Sequence, residues 1–168
     1  MQKLYSMFGV VLLLTTAMSA CSFSHASHQQ KTNDATGEIS QQQLLSHYPA
    51  FKDSYNAYTP SDSEVSAIAS LQGYTVLVLF GSWCHDSERE VPRLLKTLDT
   101  SGQDNIDIQL IAVNRQKRDP QGIALSHELK YTPTFILMQG NKELGRVIEK
   151  PSRTIAEDLQ ALTELLNP

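Results

Sequence analysis

One short segment of the chain, from Trp83 to Ser87, brings together side chains that could do redox chemistry. It reads Trp-Cys-His-Asp-Ser, and Cys84 is one of 2 cysteines in the 168 residues. A cysteine thiolate is the nucleophile in disulfide exchange; a nearby cation such as protonated His85 favours the thiolate, whereas Asp86 opposes it. The segment makes Cys84 the candidate catalytic residue, although a free cysteine also packs well as an inert apolar side chain.

The neighbours of Cys84 each allow more than one role. Ser87 is expected either to donate a hydrogen bond that keeps the Cys84 thiolate ionised or to cap the following helix. Trp83 is expected either to pack against the loop or to line the site. A metal site formed by Cys84, His85 and Asp86 is not expected, since adjacent residues rarely converge on one ion without distant ligands. We therefore predict no metal and no cofactor.

The elements on either side of this segment predict how Cys84 is presented. Residues 74–80 form a continuous β-branched and aliphatic run, which is typical of a central strand covered on both faces. From Ser87 onward, apolar residues recur at helical spacing, namely Val91, Leu94, Leu95 and Leu98. Cys84 is therefore expected on an exposed loop at a helix N-terminus, where backbone amides and the helix dipole favour a thiolate.

The rest of the chain predicts an α/β domain with a central mixed β-sheet flanked by helices on both faces. A helix is predicted to start after a capping Thr59. Further strands are predicted over 106–113, 134–138 and 143–148, and further helices over 120–129 and after a capping Ser152. Residues 39–58 predict a short helix and an irregular arm packed on the domain.

The residues around Cys84 and a second loop resemble the thioredoxin family. The shared pattern is an apolar strand, Trp-Cys-x-x, a helix with Pro92 eight residues after the cysteine, and Tyr-Thr-Pro-Thr at 131–134 before a strand and hairpin. The resemblance covers roughly residues 65–166. It implies a thioredoxin-like fold in which Thr132 and Pro133 form a cis-proline loop that faces the active-site cysteine and docks an extended substrate chain.

The chain departs from the thioredoxin pattern in ways that change the expected mechanism. Ser87 replaces the second active-site cysteine, and Val78 stands where thioredoxins carry a buried acid. A serine hydroxyl cannot release a mixed disulfide, so Cys84 would need an external thiol. The leading hypothesis is monothiol exchange with cysteine-containing envelope proteins or small thiols. The alternatives are a non-catalytic binding module and a one-cysteine peroxidase, whose usual proline and threonine are not matched by Leu77 and Gly81.

The N-terminus predicts export. Residues 1–20 carry Lys3 and an apolar stretch too short to span a bilayer, which is the shape of a signal peptide. The sequence Met-Ser-Ala-Cys at 18–21 resembles a bacterial lipobox, which implies that Cys21 carries a lipid and anchors the protein to the membrane. An ordinary cleaved signal with an incidental Cys21 is the alternative. Ser22, where inner-membrane lipoproteins often carry Asp, favours the outer membrane.

Composition sets the remaining expectations. Residues 21–38 are polar with almost nothing apolar to bury, which predicts a flexible tether, and residues 39–168 are expected to form the thioredoxin-like domain. The net charge is -4 with no basic run, so nucleic acid is not expected as a partner. We expect a monomer in the cell envelope, with its domain in the periplasm.

Overall fold

The structure is a computed structural model that describes residues 34–164. The predicted signal peptide (1–20), the lipidation site Cys21, most of the predicted tether and residues 165–168 lie outside the described residues. Within the described part of the chain, no helix is long and apolar enough to cross a membrane.

Five described strands form one mixed sheet: β1 (Gly37–Glu38), β2 (Thr75–Phe80), β3 (Asp107–Ala112), β4 (Thr134–Gln139) and β5 (Lys142–Ile148). Their order across the sheet is β1-β3-β2-β4-β5. The central β2 runs parallel to β3 and antiparallel to β4, while β4 and β5 form an antiparallel hairpin and β1 pairs antiparallel with β3. The predicted α/β class with a mixed sheet is confirmed.

Six described helices accompany the sheet: α1 (Gln41–His47), α2 (Pro49–Ala57), α3 (Asp62–Ala69), α4 (His85–Ser101), α5 (Ile123–Ser126) and α6 (Ile155–Glu164). The side chains of β2 alternate between two buried clusters. Val76, Val78 and Phe80 belong to the larger cluster with residues of α4 and α6, whereas Leu77 and Leu79 belong to the smaller one with residues of α5. Helices therefore lie on both faces of the sheet.

The chain before β2 is more regular than the sequence predicts. Residues 39–58 form two helices, α1 and α2, instead of one short helix and an irregular arm. Phe51 of α2 is fully buried, with its ring centroid 5.7 Å from that of Phe80. The next helix, α3, is capped by Ser61 and not by Thr59, because Ser61 forms a capping box with the glutamate three residues later.

The last helix also starts later than predicted. Helix α6 begins at Ile155 and not directly after Ser152. Thr154 occupies the cap position, since its hydroxyl oxygen accepts the N–H of Glu157 at 3.3 Å. The Ser152 hydroxyl instead donates to the Asp158 carboxylate at 2.9 Å. Ser152 thus fixes the loop before the helix.

The predicted tether, residues 21–38, joins the fold earlier than expected. Ala35 is buried and its N–H donates to Ser82 Oγ at 2.8 Å, while Gly37 and Glu38 pair with β3 as strand β1. The packed chain therefore starts before the predicted boundary at residue 39. Backbone hydrogen bonds hold this segment, and such bonds need no apolar pattern that a sequence would display.

Helix α5 covers only part of the helix predicted over 120–129. Gly122 before it has a φ of 77°, and the Asp119 carboxylate accepts the N–H groups of Ala124 at 2.7 Å and Ile123 at 3.1 Å. These bonds fix a turn where the prediction had a helix. Burial alone would raise the pKa of Asp119, but the backbone donors outweigh burial and hold that pKa below its ordinary value.

Asp119→Asn is expected to destabilise the protein by about 1–2 kcal/mol at pH 7, because a neutral amide accepts hydrogen bonds less strongly than a carboxylate. A carboxylate with a lowered folded-state pKa contributes stability above its unfolded pKa of about 3.9 and loses it as the pH falls through the folded-state value. Urea unfolding is measured at pH 7 and at low pH. The difference in free energy of unfolding between the unaltered protein and Asp119→Asn should be smaller at low pH than at pH 7. Asp53→Asn, on the exposed surface of α2, is the control. If Asp119→Asn lowered the free energy of unfolding equally at both pH values, the stabilising role of the Asp119 carboxylate would be contradicted.

Candidate active site

Cys84 lies where the central strand passes into α4. Strand β2 ends at Phe80, and α4 begins at His85 with Cys84 as its N-cap residue. The Cys84 carbonyl accepts the first helical hydrogen bond from Glu88 at 2.9 Å. The helix thus starts two residues before the predicted start at Ser87. The thiol is carried at the N-terminus of a helix of 17 residues, where unpaired amides and the helix dipole favour an anion.

The Cys84 thiol lies beside the loop that carries Thr132 and Pro133. It donates a hydrogen bond to the Thr132 carbonyl oxygen at 3.1 Å, and the Thr132–Pro133 peptide bond is cis. Cys84 is half-buried and is the free cysteine of the described residues, whereas Thr132 is buried. The structure therefore brings together the two segments that the resemblance paired, although they are 48 residues apart in sequence.

Ser87 is fully buried and is the third residue of α4. Its hydroxyl oxygen accepts the N–H of Gly81 at 3.3 Å, which ties the start of the loop to the helix. The expectation that Ser87 caps the helix is wrong, because Cys84 occupies that position. A hydrogen bond from Ser87 to an ionised Cys84 stays a prediction.

Trp83 is held against the loop by contacts on several sides. Its indole N–H donates to the Val113 carbonyl at 3.1 Å, and the Arg115 guanidinium lies 5.4 Å from the ring centroid. A Cβ at Gly81 would come within 2.7 Å of the indole, so residue 81 has no room for a side chain. Sequence analysis gave neither Gly81 nor Arg115 a role in the site. A glycine directly after a buried strand was the available signal for the close approach.

His85 and Asp86 both pair with residues of α4. The His85 side chain is 99% exposed, with Nδ1 2.9 Å from the Glu88 carboxylate. The Asp86 carboxylate accepts a hydrogen bond from Arg89 at 2.7 Å. This pairing sets a positive charge against the Asp86 carboxylate and so weakens its effect on an anion at Cys84.

The first described residues also contact the loop that carries Cys84. The Ala35 N–H binds Ser82 Oγ at 2.8 Å, and Arg115 Nε donates to the Asp34 carboxylate at 2.9 Å. Arg115 is the residue whose guanidinium covers Trp83. The first bond joins residues that are 47 positions apart in sequence, and the second joins residues that are 81 positions apart. No local sequence pattern could therefore have predicted them.

Among the described residues, the candidate site contains one thiol nucleophile, Cys84. Residues 34–164 contain no group of three or more His, Cys, Asp or Glu side chains that could hold a metal ion. A half-buried thiol at a helix N-terminus, in hydrogen-bond contact with a loop carbonyl, can attack a disulfide but has no second thiol from the described residues to release the product.

No protein family and no curated protein matches the sequence. Among solved structures, the chain is similar to an HIV epitope scaffold and to a protein of unknown function from Pseudomonas aeruginosa. The scaffold is 17% identical with a TM-score of 0.58, over 76% of this chain and 93% of that one. The Pseudomonas protein is 17% identical with a TM-score of 0.58, over 77% of this chain and 93% of that one. At this identity the likeness bears on the fold alone, and the class it supports is a mixed α/β domain.

Proposed function

We propose that this protein is a monothiol thiol-disulfide exchange protein with a thioredoxin-like fold and that Cys84 is its reactive residue. The observation that carries the proposal is a half-buried thiol at the N-terminus of α4, 3.1 Å from the Thr132 carbonyl oxygen. Backbone amides at a helix N-terminus stabilise negative charge on an attacking group, and partial exposure lets a disulfide reach the sulfur.

Two features of the fold support the thioredoxin-like interpretation. The sheet order β1-β3-β2-β4-β5 combines a parallel β2–β3 pair with an antiparallel β4–β5 hairpin. The loop after the central strand carries the cysteine, and the loop before β4 carries Thr132 and Pro133. These are the positions that the sequence resemblance assigns to the nucleophile and to the substrate-docking loop.

The proposed reaction is a balanced exchange. The Cys84 thiolate attacks one sulfur of a disulfide, a new S–S bond forms between Cys84 and that group, and the other sulfur leaves as a thiolate that takes a proton from water. An external thiolate then attacks the captured sulfur. The captured group leaves in a new disulfide and Cys84 returns as a thiolate, so no further oxidant or reductant is consumed.

The need for an external thiol follows from the residues around Cys84. Ser87, at the position of a second cysteine, is buried and bonded to Gly81. Val78, at the position of the buried acid, is a fully buried member of the larger apolar cluster. The serine hydroxyl cannot attack a mixed disulfide, and the valine side chain cannot carry a proton in that step.

We propose the cell envelope as the place of action. The lipobox-like sequence ending at Cys21 and the polar segment after it support a lipid-anchored protein, with the outer membrane favoured by Ser22. The partners in this proposal are cysteine-containing envelope proteins or small thiols. The membrane is contacted through the lipid on Cys21.

A non-catalytic binding module on the same scaffold is the second candidate function. The observation that favours it is the serine at residue 87, which is buried in the loop contact and leaves Cys84 without a partner thiol from the described residues. A fold of this kind also hosts proteins without turnover.

The proposed function is tested by the rate at which Cys84 forms a mixed disulfide. Cys21→Ser leaves Cys84 as the remaining cysteine of the chain. This protein is mixed with a small aromatic disulfide at neutral pH, first folded and then unfolded in urea, with mass spectrometry to locate the adduct. Folded Cys84 is expected to react about tenfold faster than the unfolded thiol, because backbone amides at the helix N-terminus stabilise the negative charge that the sulfur carries when it attacks.

The unfolded chain serves as its own control, because it contains the same cysteine with the same sequence neighbours. A folded protein that reacts more slowly than the unfolded chain would remove the exchange activity and leave the binding module as the better explanation.

A further inference from the structure

Exposed apolar side chains gather beside the Thr132–Pro133 loop. Among the described residues, the large hydrophobic side chains that stand exposed are Leu125 at 58%, Tyr131 at 53% and Ile148 at 44%. Tyr131 directly precedes Thr132, whose carbonyl binds the Cys84 thiol. The exposed apolar surface therefore begins one residue from the reactive site.

Backbone contacts fix Tyr131 and Ile148 on this side of the loop. Thr134 pairs with Ile148 across the β4–β5 hairpin, and the Thr134 hydroxyl donates to the Tyr131 carbonyl at 2.8 Å. The residue after Ile148 donates its N–H to the Pro133 carbonyl at 2.8 Å. The apolar side chains are thus presented by ordered backbone next to the site.

Two neighbouring clefts form a groove along this surface, which we call the docking groove. The first cleft, of about 290 Å³, is lined by Glu128, Lys130, Tyr131, Thr134, Arg146 and Ile148. The second, of about 340 Å³, is lined by Arg118, Leu125, Glu128, Leu129 and Lys130. Because Glu128 and Lys130 line both clefts, the two clefts adjoin, and together they reach from Tyr131, beside the site, to Leu125.

The docking groove carries more positive than negative charge. Glu143 neutralises Arg146 through two hydrogen bonds, each of 2.6 Å. The remaining charged side chains that line the two clefts are Arg118 and Lys130, which are positive, and Glu128, which is negative. Lys130 and Glu128 both line the two clefts, and Arg118 adds a second positive charge to the second cleft, so a ligand that follows the groove passes from an apolar contact to a region of net positive charge.

We propose that the docking groove binds an extended polypeptide segment of the substrate, with an apolar side chain close to the substrate cysteine and an acidic side chain beyond it. The order of contacts leads to this choice: the apolar side chain meets Tyr131 and Ile148, and the acidic side chain meets Lys130. A polypeptide supplies such a series of side chains at regular spacing. The inference rests on the proposed function, because it assumes that the substrate cysteine forms a mixed disulfide with Cys84.

Peptide capture tests the docking groove. Three peptides, Asp-Leu-Cys-Leu-Asp, Lys-Leu-Cys-Leu-Lys and Ser-Ser-Cys-Ser-Ser, are each offered as a mixed disulfide with the same small thiol to the Cys21→Ser protein. The symmetric sequences make the result independent of chain direction. The acidic peptide is expected to be captured on Cys84 about tenfold faster than the serine peptide and faster than the basic one, because apolar burial and charge both favour it.

Charge reversal supplies the matched pair of variants. Lys130→Glu is expected to reverse the order of the acidic and basic peptides, whereas Lys142→Glu, at the exposed start of β5, should leave the order unchanged. A preference that survives Lys130→Glu overturns the docking groove.

A binding measurement separates the docking groove from the thiol chemistry. Fluorescently labelled peptides with serine in place of cysteine are titrated with the Cys84→Ser protein, and the acidic peptide should bind about fivefold to tenfold more weakly after Lys130→Glu. Capture of a small disulfide with no preference among peptides overturns the groove and leaves the exchange activity standing. Binding that follows this pattern while Cys84 reacts with no disulfide supports the groove and overturns the exchange activity.

Discussion

Cys84→Ser is expected to abolish the proposed capture of partners through mixed disulfides, because a serine hydroxyl does not exchange with a disulfide. The substitution removes the sulfur and little else. A serine hydroxyl can donate to the same Thr132 carbonyl that the thiol contacts at 3.1 Å, so the loop keeps its contact. The test traps partners in the proposed location, the cell envelope, separates them without reductant and identifies them by mass spectrometry.

The unaltered protein is the control for this experiment, because it keeps both Cys84 and the Cys21 that the proposed lipid anchor requires. The expected set of trapped proteins contains cysteines, and it disappears with Cys84→Ser while the free energy of unfolding changes by less than about 1 kcal/mol. Adducts that persist in Cys84→Ser would place the chemistry elsewhere. Full rescue of a deletion phenotype by Cys84→Ser would instead favour the binding module.

Ser87→Cys is expected to convert the site to a dithiol that releases its own mixed disulfides. The N-cap and third residue of a helix lie on the same turn, and their side chains can meet there, as they do in a capping box. The new thiol would be buried within one helical turn of Cys84 and is expected to act at an effective concentration in the mM range or above. An internal disulfide between Cys84 and the introduced thiol then forms as the captured group leaves as a thiol.

Mass spectrometry measures this release after capture of a small disulfide, with excess reagent removed and no thiol added. The mixed disulfide should decay about a hundredfold faster in Ser87→Cys than in the parent protein, since mM effective concentration greatly exceeds that of any stray thiol. Ser101→Cys, at the far end of α4, adds a thiol without bringing it near Cys84. Equal decay in the two cysteine variants would contradict the proposed geometry of the site.

The parts of the fold that could be predicted are those with a periodic apolar pattern. The run over 74–80 became β2 and the helical spacing after Ser87 became α4, because both elements bury several side chains against the core. The hairpin of β4 and β5 follows the same rule. The errors fall where single polar groups decide the structure: Asp119 fixes a turn within the helix predicted over 120–129, and Ser61 moves the start of α3.

The candidate site also has features that the sequence predicts and features that it does not. A strand followed by a loop and a helix was enough to put Cys84 at a helix N-terminus, and the resemblance paired it with Thr132. The contact of Arg115 with both Asp34 and Trp83 was beyond prediction, because it joins distant parts of the chain. The observed hydrogen bond of Ser87 was missed for a local reason, since its partner is the backbone of Gly81 and backbone donors are the same in every sequence.

The setting of Trp83 has an optical consequence. It is the 1 tryptophan of the chain, it directly precedes Cys84, and it has the Arg115 charge near its ring and its N–H on the Val113 carbonyl. Because the sequence contains 1 tryptophan, the entire tryptophan fluorescence of this protein originates in the loop that carries Cys84. Indole emission responds to the polarity and charge around the ring. In the proposed exchange, light from that single position would report, without any added label, on groups that join or leave the Cys84 sulfur.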